Sequence, residues 1–392
     1  MADRFLPLRI TLNFRMKEYT ACRILIYSLF ILTISCLEPY SPPAINEEID
    51  ILVVDGHINA ADGSASVQLS KAYPLSENTS AIPELNATVQ IEDENGTVYT
   101  LVEESDGNYK LMNMAVILST KYRLSILTDR EKKYFSDYIE LEQSPQIDSI
   151  TWKLSNGQDG LNISVNTHGN KAVNSSYYQW NFVETWEYSA VYPVFARILN
   201  KQVVSLDVNP YKCWISKPST EINIATSKHL NEDLISDHLL VFIPKGSQKL
   251  SRRYSILVQQ RTLSREAYNF WTQLKKTTEN LGSLFDPLPT QVLGNIHSAD
   301  GSDEPVLGYF DGGVVAEKRL FISESDLPPD FHFRPPFCQV DSIPIGDVAN
   351  YNNILLIGSY GQPFTLGYTA SPSAGCTDCR SGGGDLIKPD FW

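Results

Sequence analysis

No apolar run in this 392-residue sequence approaches the roughly twenty residues that a bilayer-spanning helix needs. The conspicuous one, Ile24 to Ile34, is about eleven residues long, which excludes a transmembrane anchor and leaves the hydrophobic stretch of an export signal. Basic charge is in deficit as well: 32 Lys and Arg stand against 46 Asp and Glu, for a net charge of −14. Residues 1–35 carry five Lys/Arg and two Asp/Glu, so their removal takes the remainder from −14 to −17. A surface of that sign repels phosphate backbones and anionic headgroups, which argues against nucleic acid as a partner. Histidine is scarce, six in all, and none stands in a metal-ligand spacing such as HExxH. "IGSYGQ" (Ile357 to Gln362) lacks the first glycine of a nucleophile elbow. "DGSDE" (Asp300 to Glu304) alternates oxygens like part of a calcium loop, but the glycine and late glutamate are misplaced, so it reads as a solvated turn. No phosphate-cradling glycine motif, tandem repeat or low-complexity block is present. These absences leave no residue to name as catalytic, and no metal or cofactor is expected.

What is there begins with "RILIYSLFILTISCLEPYSPP", from Arg23 to Pro43. Lys17 and Arg23 precede the apolar run, and small Ser35 stands before Cys36, the arrangement a lipoprotein signal peptidase requires. The expectation is a signal over 1–35, cleaved before Cys36, whose thiol then carries the lipid. Met16 offers a start that gives a signal of ordinary length and leaves 1–15 as an extension. The alternative is an ordinary signal peptide with an incidental cysteine. Two or three acyl chains hold a protein on a membrane where one does not. Residues 36–47, with three prolines and no apolar periodicity, read as a lipidated tether.

The fold class expected for the rest is mainly β. Over 48–144, short β-rich runs ("DILVVDGHI", "SVQLS", "GNYKL", "KYRLSIL") are separated by turn signals, and "EDENGTVY" is a hairpin around Asn95-Gly96. About seven strands there predict an immunoglobulin-like or transthyretin-like sandwich. After the break at Gln143-Ser144-Pro145, residues 145–392 read as a second β-rich domain. Its strand "YYQWNFVETWEY" puts Tyr178, Trp180, Phe182, Trp186 and Tyr188 on one face, interrupted by Glu184. That face is either core or a ring-stacking platform, and Tyr178, Trp180, Trp186 and Glu184 are the candidate binding residues. Glu184 is also where a glycosidase acid would sit, although no second carboxylate accompanies it.

An amphipathic helix is predicted over 264–281, capped by Ser264, with Ala267, Phe270, Trp271, Leu274 and Leu281 on one stripe. "VLGYFDGGVVAEKRLFI" (Val306 to Ile322) reads as a hairpin turning near Asp311-Gly312-Gly313. The last seventy or so residues, rich in Pro, Gly and Cys, read as an irregular cap.

With Cys22 in the signal and Cys36 lipidated, Cys213, Cys338, Cys376 and Cys379 remain, an even set in an exported chain. A four-cysteine zinc site, a redox-active CxxC and partly free thiols are the alternatives to disulfides. Closing "GCTDC" on itself would restrain the unfolded chain little. Pairing Cys338 with one member of that motif and Cys213 with the other would each remove roughly 3–5 kcal/mol of unfolded-state freedom, and this is the expected staple of the cap.

"RRYSILVQQRTLSREAYNFWTQLKKTTENLGSLFDPLPTQVLGNIH" (Arg252 to His297), with "VLGYF", "YKCWIS" and the closing "CTDCRSGGGDLIKPDFW", resembles domain-of-unknown-function family 4249, found among lipoproteins of Bacteroidota. The resemblance spans essentially the whole mature chain and carries over no catalytic residues. It implies an outer-membrane lipoprotein, facing outward or into the periplasm, often encoded beside a TonB-dependent transporter. The function expected is therefore a non-enzymatic accessory and binding component in nutrient uptake, with that transporter as partner. An exported hydrolase of glycan or peptide, or a structural envelope component, stands as the alternative.

Overall fold

In the computed structural model the described residues are 51–72, 82–169, 176–228, 232–278, 292, 294–302 and 304–392. The export signal, Cys36, the tether, Leu281 and the predicted helix end lie outside them. Strand Leu52–Asn59 alternates as its sequence demands: Leu52, Val54 and Ile58 are buried, while Asp55, His57 and Asn59 point the other way. It pairs antiparallel with Ser64–Lys71 in a seven-stranded sheet that also holds Asn108–Leu111 and Val102–Ser105. The sheet opposite is built from Thr88–Asp93, Val98–Thr100, Tyr122–Leu127 and Lys133–Ser136, closed by Ile296–Ser298. Val54, Ile58, Val67 and Leu69 from one sheet, and Val89, Ile91, Leu124 and Ile126 from the other, share one core. The Asn95-Gly96 turn forms, with Gly96 at φ 91° and the Asp93 carboxylate accepting from the backbone of Asn95 and Thr97.

The segment after the helix departs from the hairpin expectation. Leu307–Val314 runs parallel to Leu52–Asn59 inside the first sheet, and Ala316–Ser323 runs antiparallel to Arg253–Thr262 in the second sandwich. The chain thus crosses between sheets at Val315, and Asp311-Gly312-Gly313 lies within a strand. The glycines serve close packing: a Cβ on Gly313 would stand 2.3 Å from the carbonyl oxygen of Glu142, and one on Gly312 2.7 Å from Leu141. Tight approach, and not a turn, is what the glycine pair encodes.

In the second sandwich, Ile147–Leu154, Gly160–His168 and Leu234–Pro244 make one sheet. Tyr177–Ser189, Arg253–Thr262, Ala316–Ser323, Lys212–Pro218 and Asn223–Thr226 make the other. The aromatic row is the core face between them, with Tyr178 and Trp180 at 0% exposure and Trp186 at 5%. The stacking-platform reading of Tyr178, Trp180 and Trp186 is therefore corrected, since no ligand reaches rings packed this way. Trp180 Nε1 donates to Gln260 Oε1 at 2.9 Å. Glu184 is buried and paired: Lys249 Nζ lies 2.6 Å from one oxygen, and the Tyr254 hydroxyl donates to the other at 2.8 Å.

The helix spans Arg265–Thr278, and the Ser264 hydroxyl accepts from the Ala267 amide at 3.0 Å. Ala267 and Phe270 pack with Leu263, Val292 and Tyr309, and Trp271 and Leu274 flank them. The C-terminal region is more regular than its composition suggests. Strands Asp341–Pro344, Ile354–Tyr360 and Gly367–Ala370 join Ala196–Leu199 and Gln202–Ser205 in a small five-stranded sheet. Disulfides Cys213–Cys379 and Cys338–Cys376 fasten it. The final residues lie on the outer face of the second sandwich: Arg319 stacks on Phe391 at 3.5 Å, and Trp392 Nε1 donates to Glu187.

Candidate functional site

From Ile49 to Trp392 the chain is one compact unit, and its polar junctions fall where the two sandwiches meet. The outward face of Leu52–Asn59 is polar because strand alternation reserves the other face for the core. Facing it, Arg253–Thr262 turns Gln259 and Arg261 away from its own sandwich core. Asp55, His57, Ser66 and Gln68 thereby oppose Asn181, Gln259 and Arg261 across a polar cleft of about 330 Å³.

A charged cluster closes one side of this cleft. His57 Nδ1 lies 2.5 Å from Asp311 Oδ1, and Arg261 Nη1 reaches the same oxygen at 3.1 Å while its Nη2 donates to Gln179 Oε1 at 2.7 Å. The three side chains are only 13–16% exposed. Burial would raise the Asp311 carboxyl, but Arg261 and then His57 outweigh it and hold the group below the usual carboxylate range. Burial, reinforced by Arg261, pushes the His57 imidazole below its usual value. Asp55 moves the other way, raised by burial against the pull of Arg261. His57 Nε2 and Asp311 Oδ2 are buried without hydrogen-bond partners.

Register places Ser66 opposite His57 on one side and Asp311 opposite it on the other. The row Ser66–His57–Asp311 has the residue order of a hydrolytic triad. Yet His57 Nε2, the atom that would take the serine proton, is sealed from solvent and bonded to nothing.

On the other side of Asp311 a larger cleft of about 710 Å³ opens between the first sandwich and the helix start. Tyr177, Phe270 and Tyr309 supply aromatic wall; Asp137, Glu140, Glu142 and Glu266 supply carboxylates, and Lys121 and Arg265 supply positive charge. Burial, then the nearby Glu140 and Glu266, raise the Glu142 carboxyl. Burial likewise raises the Tyr309 phenol, against the opposing effect of its hydrogen bond with Ser264. This cleft can hold a molecule of several polar groups by its carboxylates.

None of these residues had a local signature. Asp311 read as part of a turn, and neither His57 nor Arg261 stands in a motif of the sequence. The four cysteines among the described residues all lie in disulfides, which displaces the zinc alternative. Among the described residues no group of three His, Cys, Asp or Glu is arranged to hold a metal ion. Asp300 sits in the exposed turn read from sequence, held down to about 2 by hydrogen bonds from Ser302 and Ser298.

The family model of a domain of unknown function (DUF4249) matches residues 37–319. The chain belongs to this family. The matched span of this DUF4249 chain holds His57, Arg261, Asp311 and both clefts, and it ends before Cys338, Cys376 and Cys379. No curated protein matches it. Among solved structures, a two-domain fibronectin type III segment of chicken tenascin is similar at 10% identity, over 55% of this chain and 91% of that one, with a TM-score of 0.16. A DUF4785 family protein of Legionella pneumophila is similar at 10% identity, over 54% and 52%, with a TM-score of 0.18. The Yersinia pseudotuberculosis adhesin InvE is similar at 13% identity, over 54% of each chain, with a TM-score of 0.14. Likeness at this level leaves the fold to be read from the DUF4249 chain itself.

Proposed function

We propose that this DUF4249 chain is an outer-membrane lipoprotein acting without catalysis, as an accessory binding component beside a TonB-dependent transporter. The observation that carries the reading is the cleft of about 710 Å³ at the meeting of two β-sandwiches, lined by carboxylates from strands, the segment between them and a helix start. Side chains fixed on regular elements suit a binding site, because little order is lost when a ligand arrives. The anchor rests on the apolar run ending at Cys36, and the transporter on the family resemblance. A hydrolase reading stands second, favoured by the Ser66–His57–Asp311 register row. Palmitate labelling of wild type and Cys36→Ala, followed by separation of inner and outer membranes, tests the anchor. The expected result is label in the wild type alone, in the outer membrane; equal labelling of both proteins would overturn the reading.

A further inference from the structure

We infer that the tip of the small C-terminal sheet enters the lipid bilayer, as a second membrane contact beside the anchor proposed at Cys36. The inference rests on reading the chain as a lipoprotein and adds the surface that it turns to the membrane. From Val348 to Thr377 the sequence holds no Asp, Glu, Lys, Arg or His, in a chain that is 20% charged. This uncharged run builds strands Ile354–Tyr360 and Gly367–Ala370. The turn between them leaves Pro363, Phe364, Thr365 and Leu366 exposed, with Phe364 at 77% and Leu366 at 61%. Ile345, 56% exposed, joins them: its amide donates to the Leu366 carbonyl at 2.9 Å, next to the Pro344–Gly367 register pair. Two neighbouring strand ends thereby bring three large apolar side chains to one tip.

The backbone holds these side chains outward. The Leu366 amide donates to the Tyr360 carbonyl at 2.9 Å, and Gly361 takes φ 99°, a conformation that suits glycine. A Cβ on Gly361 would stand 2.6 Å from the Leu366 side chain, so the turn is closed tightly. A tip ordered in this way loses little freedom when it is buried.

Charge decides the occupant. The chain carries −14, so anionic surfaces repel it, and a cationic partner would find no carboxylate in the turn. One aromatic and two aliphatic side chains on an uncharged projection gain by transfer from water to hydrocarbon, and no charge has to be carried in with them. The opposing feature is exposed Asp347, two residues beyond Ile345. A carboxylate is costly in hydrocarbon, so Asp347 stays among the headgroups and limits the depth to the tip itself. So small a tip holds weakly alone, but a chain already tethered by lipid presents it at high effective concentration.

Reconstitution of the wild-type lipoprotein and Phe364→Trp in phosphatidylcholine vesicles, with and without lipid brominated on its acyl chains, tests the inference. The fluorescence that Phe364→Trp adds over wild type is expected to be quenched at least twofold by the brominated lipid. Salt at about 1 M, which screens surface charge, should leave that quenching unchanged. Phe364→Ser/Leu366→Ser, with the thermal midpoint of the wild type, should transfer from donor to acceptor vesicles at least tenfold faster. Added fluorescence that brominated lipid does not quench, on a chain that still floats with the vesicles, overturns the inference and leaves the anchor in place; a dimer lost in the double variant would then assign the tip to a second copy. A double variant that transfers at the wild-type rate also overturns it. A wild-type chain that does not float with the vesicles removes both the tip contact and the anchor.

Discussion

His57 and Asp311 are register partners on parallel strands, and the histidine Nδ1 lies 2.5 Å from the aspartate Oδ1 although 254 residues separate them. Arg261 reaches the same oxygen from the second sandwich at 3.1 Å. One carboxylate therefore joins three segments distant in sequence. Replacing it leaves a buried guanidinium without its counter-charge, which typically costs roughly 3–5 kcal/mol. Asp311→Asn is expected to lose stability on that scale in guanidinium unfolding. A loss below about 1 kcal/mol would show that the cluster does not tie the sandwiches together.

The same cluster sets a pH dependence. The folded state holds His57 below its usual value near 6.5, so between the folded and the ordinary value the unfolded chain binds more protons. Stability therefore rises as pH increases toward about 6.5, and the His57 contribution is lost as pH falls below it. Asp311, held low, loses its contribution only at more acidic pH, as it protonates below the usual carboxylate range. Thermal midpoints measured from pH 5 to 7 should climb in the wild type and climb less in His57→Gln. Equal slopes would contradict the assignment.

Glu184 and Lys249 test whether the aromatic face is a core. Lys249→Ala leaves Glu184, 10% exposed, without its cation, and should cost roughly 3 kcal/mol or more. The Glu184→Gln/Lys249→Met pair removes both charges and should recover most of that loss, with the coupling read from a double-mutant cycle. A functional glutamate at an open platform would instead tolerate loss of the lysine.

The disulfides close spans of 166 and 38 residues. In the chain-entropy picture these are worth about 5 and about 4 kcal/mol respectively. Cys379→Ser should therefore lower stability more than Cys376→Ser, in unfolding followed with the other bridge intact. The reverse order would mean that local packing of the cap, and not closure of the long span, dominates.

Much of this architecture was legible before the structure, and the reasons differ by element. Asn95-Gly96 and the Ser264 cap are encoded within a few residues, so local pattern sufficed. Loop length spoke against a bond between Cys376 and Cys379 but did not decide which of them pairs with Cys338 and which with Cys213. Asp311-Gly312-Gly313 misled because glycine marks both turns and close strand approach, and only the neighbouring Glu142 backbone distinguishes them. The small C-terminal sheet was hidden because it borrows Ala196–Leu199 and Gln202–Ser205 from 150 or so residues upstream. The clefts were illegible for the same reason: their walls come from strands and a helix that meet only when the two sandwiches assemble.

The most direct test of the central claim is affinity purification of the intact lipoprotein from detergent-solubilised membranes, with Cys36→Ala as the unanchored control and co-purifying proteins identified by mass spectrometry. The expected result is a TonB-dependent β-barrel recovered with the wild type and lost with Cys36→Ala. Recovery of no such barrel, together with hydrolysis of an envelope polymer by the purified protein and loss of that hydrolysis in Ser66→Ala, would contradict the account.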